Sequence, residues 1–230
     1  MLNIALTGGT SRFAETLKKY FYGKNIFYTT RNEIDILKYE TITKFIKRKK
    51  IKIFIHLAGL SRPMSIHEKN ASKSIDLNII GTANIVKACS KYKVKLIYFS
   101  TNYVYPGIKG PYKEEHSLLP FNNYGWSKLG GEASVQMYKN SLILRICMTE
   151  KPFVHKKAFT NFITSFIFHE YFAKVFKKLI HKKGVINIGG RRQTVYNFAK
   201  KNNYNIKPTL CNSDNLDTSI NISKFYSIIK

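Results

Sequence analysis

The sequence has few acidic side chains, few cysteines and no long apolar run. Only 13 of its 230 residues are Asp or Glu, against 39 Lys or Arg, so the formal net charge is +26. The three cysteines are far apart and odd in number, which argues against a disulfide framework or a thiolate metal cluster. No segment approaches the roughly 18 consecutive apolar residues of a transmembrane helix, and residues 1–6 lack the pattern of a leader peptide. We therefore expect a cytoplasmic protein with reduced thiols, no membrane segment and no metal site.

The excess of basic residues raises nucleic-acid binding as one function class. The lysines are spread over nearly every predicted helix, as at residues 18–19, 47–50 and 177–178, and do not gather in one arm. Solvated helix faces account for most of such a distribution. We therefore do not expect nucleic acid as a partner, and we expect the positive field to attract an anionic cofactor and an anionic substrate.

Short apolar runs alternate with longer amphipathic stretches over the first two thirds of the chain. This alternation is typical of strand-helix units in a parallel sheet. It predicts strands at residues 3–6, 25–28, 53–57, 95–99 and 141–146, and helices at residues 12–22, 38–49, 72–92 and 124–139. We predict an α/β protein with a doubly wound parallel sheet, the Rossmann fold, which binds ligands at the carboxyl ends of its strands.

The alternation weakens after Met148. The remaining sequence predicts an apolar, aromatic-rich helix at residues 158–178, followed by a short strand, a short helix and a polar tail. We predict a Rossmann domain over residues 1–148 and a small, reduced C-terminal cap lobe over residues 149–230, partly folded back on the sheet. If the aromatic stripe of this helix is exposed, a homodimer is the expected way to cover it.

The first predicted strand ends in a glycine turn with the sequence TGGTSRFA. A dinucleotide-binding turn needs a glycine at the bend and small residues where the backbone approaches a pyrophosphate and where helix meets strand. Gly8, Ser11 and Ala14 hold those places, and Ser11 is the departure from the glycine pattern. Arg12 and Phe13 open the helix, and we expect Arg12 to contact a phosphate.

The second predicted strand lacks the acidic residue that would bind the ribose hydroxyls of NAD. It ends in Tyr28, Thr29 and Thr30, and Arg31 follows. A guanidinium at this point would receive the 2'-phosphate of NADP. We therefore expect NADP as the cofactor, with NAD as the alternative. The other interpretation of Arg31 is a solvated loop residue.

Residues suited to acid-base chemistry follow the fourth predicted strand and open the next helix. Tyr124 and Lys128 are four residues apart, which places both side chains on one helix face. An adjacent ammonium favours phenolate and lowers the pKa of a tyrosine toward neutrality. Thr101, at the neighbouring strand end, is placed to hydrogen-bond a carbonyl oxygen. The tyrosine-lysine pair alone would also suit a surface helix, but its position after a Ser-Thr strand end favours catalysis.

Together these segments resemble the extended short-chain dehydrogenases, and within them the dTDP-4-dehydrorhamnose reductase branch of the NAD-dependent epimerase/dehydratase superfamily. The motifs that carry the similarity keep the family's order and occupy residues 7–10, 30–36, 56–59, 78, 81–84, 100–105, 124–128, 131–132 and 187–190. The resemblance implies that Thr101, Tyr124 and Lys128 are the catalytic residues. It further implies that hydride passes from the nicotinamide to the sugar C4 and that Tyr124 supplies the proton.

The resemblance also implies contacts with the cofactor and the substrate. Asp35 is similar to the family's residue near the adenine, and Asn78 is similar to the helix asparagine that braces the active site. The expected cofactor contacts are Gly8, Ser11, Arg12, Phe13, Arg31, Asp35, Ile36, Leu57, Ala58, Gly59, Asn78, Tyr124 and Lys128. The expected substrate contacts are Tyr103 and Arg145, although Arg145 would equally suit a structural salt bridge.

The expected function is NADPH-dependent reduction of the 4-keto group of a nucleotide-activated deoxysugar. Two alternatives stay open: a nucleotide-sugar epimerase of the same fold, and a non-catalytic NADP-binding regulatory subunit. A dehydratase is disfavoured because the residue beside Thr101 is Asn102 rather than a carboxylate. The turn with fewer glycines and the short cap depart from the family's pattern, and both bear first on substrate binding.

Overall fold

The computed structural model describes residues 2–214 and 216–230. Its strands, in chain order, are β1 (Ile4–Thr7), β2 (Ile26–Tyr28), β3 (Ile53–His56), β4 (Lys95–Thr101), β5 (Ser141–Ile146), β6 (Met148–Thr149), β7 (Lys157–Phe159), β8 (Ile163–Thr164), β9 (Ile167–Phe168), β10 (Gly184–Ile188), β11 (Gln193–Thr194) and β12 (Lys207–Thr209). The α-helices are α1 (Arg12–Lys18), α2 (Tyr39–Lys49), α3 (Ser65–Lys69), α4 (Ala71–Ser74), α5 (Gly81–Lys91), α6 (Asn123–Gln136), α7 (His169–Val175), α8 (Val195–Lys200) and α9 (Ser223–Ile229). A π-helical turn, Ile75–Ile80, joins α4 to α5, and 3-10 turns span Asn102–Val104 and Phe176–Leu179.

A six-stranded parallel sheet forms the centre of the molecule, in the strand order β10-β5-β4-β3-β1-β2. Every residue of β1, β3, β4 and β5 is buried, as expected of strands covered on both faces. The order reverses at β1 and β3, which is the doubly wound arrangement. The predicted fold class is therefore confirmed.

Two apolar layers cover the two faces of this sheet. On one face, α1, α7 and α9 contribute Phe13, Phe172 and Phe225, whose rings pack in sequence. On the other face, α2, α5 and α6 contribute a second cluster that includes Phe45 and Ile85. This burial supplies most of the favourable free energy of folding, because each large apolar side chain contributes about 1.5 to 3 kcal/mol.

The segment after Met148 contributes to both the sheet and the lobe above it. Strand β10 pairs with β5, and α7 and α9 lie against the sheet. A smaller apolar cluster forms the rest of the lobe, and its buried members are Phe153, Ala158, Val195, Phe198, Ala199 and Ile206. The division into a Rossmann domain over residues 1–148 and a cap lobe over residues 149–230 stays a prediction.

The helix predicted over residues 158–178 is wrong in its first half. Residues 157–168 form β7, β8 and β9, which pair with β12, β11 and β6. The backbone partners come from distant parts of the chain, so the local pattern gave no sign of them. In the second half, Phe172 and Phe176 are fully buried in the core. We expected a homodimer only if the aromatic stripe of this segment were exposed, and these two side chains are buried.

Two further observations concern the described residues alone. None of their helices is both long and apolar enough to cross a bilayer. Within the same part of the chain, no three His, Cys, Asp or Glu side chains lie close enough together to hold a metal ion.

Substitution of Phe172 by alanine should destabilise the whole molecule, because the ring is fully buried between α1, α9 and the sheet. We expect the free energy of unfolding to fall by about 3 to 5 kcal/mol in a single urea transition. Tyr204→Ala is the matched control, because Tyr204 is 86% exposed, and it should change the free energy by less than about 0.5 kcal/mol. A separate early transition in the Phe172 variant would contradict this prediction, because it would show that α7 unfolds independently of the sheet.

Candidate functional site

A cleft of about 440 Å³ lies at the carboxyl ends of β1, β3, β4 and β5. This is the edge where doubly wound sheets bind their ligands. Its walls come from the turn after β1, the loop after β3, the start of α6 and the lobe that follows β5. The predicted site residues that line it are Ser11, Arg12, Phe13, Leu57, Gly59, Thr101, Tyr103, Tyr124 and Lys128.

The glycine turn after β1 passes close to the loop after β3. Gly8 has a φ of +69°, and a Cβ atom there would lie 2.9 Å from the backbone nitrogen of Ala58. Only glycine fits this bend. Ser11 is the N-cap of α1, and its hydroxyl accepts a hydrogen bond from the Ala14 backbone N–H at 3.2 Å. The serine that departs from the glycine pattern therefore stabilises the start of the helix.

Asn78 joins the loop after β3 to α6. Its Oδ1 accepts from the Leu60 backbone N–H at 2.7 Å, and its Nδ2 donates to the Leu60 carbonyl at 2.9 Å and to the Ser127 hydroxyl at 2.8 Å. It lies on the π-helical turn, a feature often found at functional sites. A Cβ on Gly59 would come within 2.7 Å of Asn78 Oδ1, so this contact requires glycine. These contacts link the loop to the helix, and a role of Asn78 in the active site stays a prediction.

Thr101, Tyr124 and Lys128 all border the cleft. Thr101 is the last residue of β4, and Tyr124 is the second residue of α6. Burial raises the pKa of Tyr124, while a hydrogen bond with Thr101 and the charge of Arg62 act in the opposite direction. We expected Lys128 to lower this pKa, and that expectation is wrong, because desolvation outweighs the nearby positive charge and that charge belongs to Arg62. The phenol consequently keeps its proton at neutral pH.

Lys128 is one turn further along α6 and only 7% exposed. Its Nζ lies 4.3 Å from the centre of the Tyr98 ring. Burial lowers the pKa of Lys128 to about 7, against the opposing influence of the Glu132 carboxylate. An amine with this pKa exchanges its proton readily near neutrality.

Arg145, an expected substrate contact, is instead buried in a structural ion pair. It is 3% exposed, and its Nη2 lies 2.7 Å from Oε1 of Glu132. Its Nη1 donates to the Tyr105 hydroxyl and to the Glu114 carbonyl. The Ser100 hydroxyl donates to the same Glu132 at 2.6 Å. The guanidinium thus has no donor directed at the cleft, and the salt-bridge interpretation is the one the structure supports.

The residues expected near the adenine lie beyond the cleft lining, at the end of β2. Arg31 is 76% exposed in its side chain, and its Nε lies 3.6 Å from an Asp35 oxygen. Asp35 also accepts from the Leu37 backbone N–H at 3.1 Å, which fixes the turn. Ile36 is buried against the face of the sheet that carries α2. The structure therefore brings Arg31 and Asp35 together and uses Ile36 in the core.

Several residues of the cleft were not among those predicted from the sequence. Arg62 follows β3, so its position at the ligand-binding edge could have been inferred from the strand prediction. Glu150 could not, because its position depends on the pairing of β6 with β9. The same holds for the aromatic side of the cleft, which comprises Phe153, His155, Phe159, Phe162, Phe166 and His169.

The protein-family comparison agrees with this geometry. The model of the RmlD substrate binding domain family matches residues 2–171. The chain belongs to this family. The family assignment confirms the resemblance that the sequence motifs indicated.

Curated relatives and solved structures extend the comparison. The chain is 31% identical over 114 residues to methionine adenosyltransferase 2 subunit beta of Xenopus laevis, covering 49% of this chain and 34% of the relative. It is 33% identical over 128 residues to dTDP-D-glucose 4,6-dehydratase of Dictyostelium discoideum, covering 50% of this chain and 29% of the relative. The matches thus span about a third of the length of these relatives. The crystal structure of dTDP-4-dehydrorhamnose reductase from Bacillus anthracis in complex with NADP superposes with a TM-score of 0.87 at 20% identity, covering 99% of this chain and 92% of that chain.

Replacement of Lys128 by methionine should change how stability depends on pH. Because burial lowers the pKa of Lys128 to about 7, the unfolded chain binds one more proton than the folded chain from about pH 7 to about pH 10.5. The free energy of unfolding of the unsubstituted protein, minus that of Lys128→Met, should therefore rise by roughly 2 to 4 kcal/mol from the lower to the upper end of this pH range.

Urea unfolding of both proteins at several pH values in this window measures the difference. Lys139→Met removes the same charge at an exposed position beyond the end of α6 and serves as the matched control. Parallel curves for Lys128→Met and the unsubstituted protein would contradict the assignment of a buried, proton-releasing amine.

Proposed function

We propose that this chain reduces the 4-keto group of a nucleotide-activated deoxysugar, with NADPH as the hydride donor. The observation that carries the proposal is the convergence of Thr101, Tyr124 and Lys128 in one cleft at the carboxyl edge of the sheet. Family membership supports it, as does the similarity of fold to a dTDP-4-dehydrorhamnose reductase crystallised with NADP. We assign the reaction to nucleotide-sugar metabolism in the cytoplasm, as a step toward rhamnose-type sugars for polysaccharides.

The residues at this edge fit a dinucleotide. Ser11 and Arg12, at the end of the glycine turn, line the cleft, and Arg31 follows β2 where a 2'-phosphate would lie. When bound, the nicotinamide supplies the hydride. We propose that the cofactor contacts are Gly8, Ser11, Arg12, Phe13, Arg31, Asp35, Leu57, Ala58, Gly59, Asn78, Tyr124 and Lys128.

In this proposal each catalytic side chain has a separate task. Tyr124 keeps its proton because burial raises the pKa of its phenol, and it donates that proton to the substrate oxygen as negative charge develops there. The Thr101 hydroxyl hydrogen-bonds the same oxygen. Lys128, with a pKa near 7, replaces the proton on Tyr124 and binds the ribose hydroxyls. Asn78 fixes the loop and helix between which these groups act.

The substrate would lie between the sheet and the lobe above it. We propose that Tyr103 contacts the sugar, since its ring borders the cleft and packs edge-on against Tyr124 at 6.1 Å. The aromatic side of the cleft, formed by Phe153, Phe159, Phe162 and Phe166, provides an apolar surface for the rest of the substrate. In this proposal the part of residues 149–230 that lines the cleft acts as the substrate cap.

A regulatory subunit is the second candidate function. The observation that favours it is the similarity to methionine adenosyltransferase 2 subunit beta, a protein named as a subunit. In that case the chain would bind NADP without turnover. A nucleotide-sugar epimerase of the same fold would instead turn over its substrate without consuming added NADPH.

Replacement of Tyr124 by phenylalanine should slow reduction strongly and largely preserve cofactor binding, because the aromatic ring stays in place and only the hydroxyl is lost. We expect kcat to fall by roughly 10²- to 10⁴-fold, with the Kd for NADPH unchanged within about twofold. The measurement is NADPH oxidation with dTDP-4-keto-6-deoxy sugars, alongside nicotinamide fluorescence for binding. Tyr204→Phe, at an exposed position, is the control. NADPH binding without reduction of any such sugar by the unsubstituted protein would favour the regulatory subunit.

Replacement of Arg31 by alanine should weaken NADPH binding selectively. The loss of a guanidinium beside the 2'-phosphate should raise the Kd for NADPH about tenfold and leave the Kd for NADH nearly unchanged. Arg48→Ala removes an arginine from the outer face of α2 and serves as the control. Equal weakening of both cofactors would contradict a specific 2'-phosphate contact.

A further inference from the structure

One buried side chain contacts both ends of Lys128. Tyr98 lies on β4, and its hydroxyl donates a hydrogen bond to the Lys128 backbone carbonyl at 3.1 Å. The Lys128 ammonium lies over the face of the same ring, with Nζ 4.3 Å from the ring centre. Tyr98 is fully buried, and Lys128 is nearly so. A single ring therefore contacts both the backbone and the charged end of Lys128.

The periods of strand and helix produce this pairing. Tyr98 and Ser100 are two residues apart on β4, so both side chains point to the same face of the sheet. Lys128 and Glu132 are four residues apart on α6 and share one helix face. Ser100 donates to Glu132 at 2.6 Å, and one turn earlier on the helix Tyr98 meets Lys128. Gly131 permits this close approach, because a Cβ atom there would lie 2.8 Å from the Tyr98 hydroxyl oxygen.

Three other titratable groups of the described residues surround the Tyr98 ring and the Lys128 amine. They are His56 of β3 and Tyr124 and Glu132 of α6. Burial and the charge of Lys128 lower the pKa of His56 to about 3, so the imidazole is neutral. Burial raises the pKa of Tyr124, which is neutral as well. The Glu132 carboxylate is already bound in its ion pair within the core.

The ring face of Tyr98 favours the charged form of the amine. An aromatic face attracts a cation because the ring quadrupole places negative charge above and below its plane. This attraction is strongest where water is excluded, as it is around this buried pair. Burial disfavours the ammonium and lowers the pKa of Lys128 to about 7. The Tyr98 ring acts in the opposite direction.

We propose that Tyr98 is a positioning residue for Lys128, whose ring holds the ammonium group at the cleft and helps the buried amine to keep a proton. The inference rests on the proposed function for the use of that proton, which Lys128 returns to Tyr124 after each reduction. Loss of the ring leaves an amine that gives up its proton at a lower pH. The phenol of Tyr98 takes no part in proton transfer, since burial raises its pKa.

The direct test follows the titration of Lys128 by NMR, in protein that carries carbon-13 at the Cε atoms of its lysines. The resonance that titrates near pH 7 is assigned by its absence in Lys128→Met. In Tyr98→Leu we expect the midpoint to fall by about one pH unit, because loss of the cation–π attraction makes proton binding about tenfold weaker. Tyr98→Phe keeps the ring and should leave the midpoint nearly unchanged.

Tyr138→Leu is the matched control. Tyr138 packs against the same apolar layer as Tyr98, and its hydroxyl donates to the carbonyls of Cys89 and Val94. Its loss should lower stability without moving the Lys128 midpoint. If Tyr98→Leu fails to fold, a series of fluorinated phenylalanines at position 98 replaces it, because fluorine draws electron density from the ring face and keeps the ring shape. The midpoint should fall stepwise from phenylalanine to monofluoro- and trifluorophenylalanine.

The pH dependence of kcat then connects the contact to turnover. Activity should fall as the pH rises through the pKa of Lys128, since the protonated amine is the form that restores Tyr124. In Tyr98→Leu this loss should occur about one pH unit lower, and in Tyr98→Phe at the pH of the unsubstituted protein. If the NMR titration responds as expected while the unsubstituted protein reduces no 4-keto sugar, the proposed function fails and the contact stands. A Lys128 midpoint that is the same in all these variants, or that moves equally in Tyr138→Leu, overturns the inference.

Discussion

The buried carboxylate of Glu132 holds α6, the helix that carries the proposed acid-base residues, against the sheet. It is fully buried on α6, where Ser100 of β4 and Arg145 of β5 donate to its oxygens. A carboxylate in this position requires such partners, because an unpaired buried charge costs several kcal/mol. Since Tyr124 and Lys128 lie on the same helix and Thr101 follows Ser100 directly, this interaction fixes the relative positions of all three.

Burial also gives the cleft its chemical character. The desolvation that raises the pKa of Tyr124 lowers that of Lys128, so the phenol keeps its proton and the amine exchanges one near neutrality. This distribution of protons suits a reduction, in which the substrate oxygen must gain a proton. Arg62 adds a positive charge beside the phenol and, through Glu150 and Arg12, connects that charge to the mouth of the cleft.

Local patterns in the sequence predicted β1 to β5 and the residues that follow them, but they did not place β10, the sixth strand, in the sheet. The glycine turn and Thr101 could be predicted because strand ends of a parallel sheet meet at one edge. The pair Tyr124 and Lys128 could be predicted because residues four apart share one helix face. The lobe could not, because β7, β8 and β9 pair with strands distant in sequence. The role of Arg145 was undecided for the same reason: its partner Glu132 is on a different element, and only the fold brings them within 2.7 Å.

A crystal structure of the protein with NADPH and an unreactive analogue of a nucleotide-linked 4-keto sugar tests the central claim most directly. The account predicts the nicotinamide C4 within about 3.5 Å of the sugar C4. It also predicts the carbonyl oxygen between the hydroxyls of Thr101 and Tyr124, and Lys128 on the nicotinamide ribose. A nicotinamide turned away from Tyr124, or a cofactor bound away from the carboxyl ends of the strands, would contradict it.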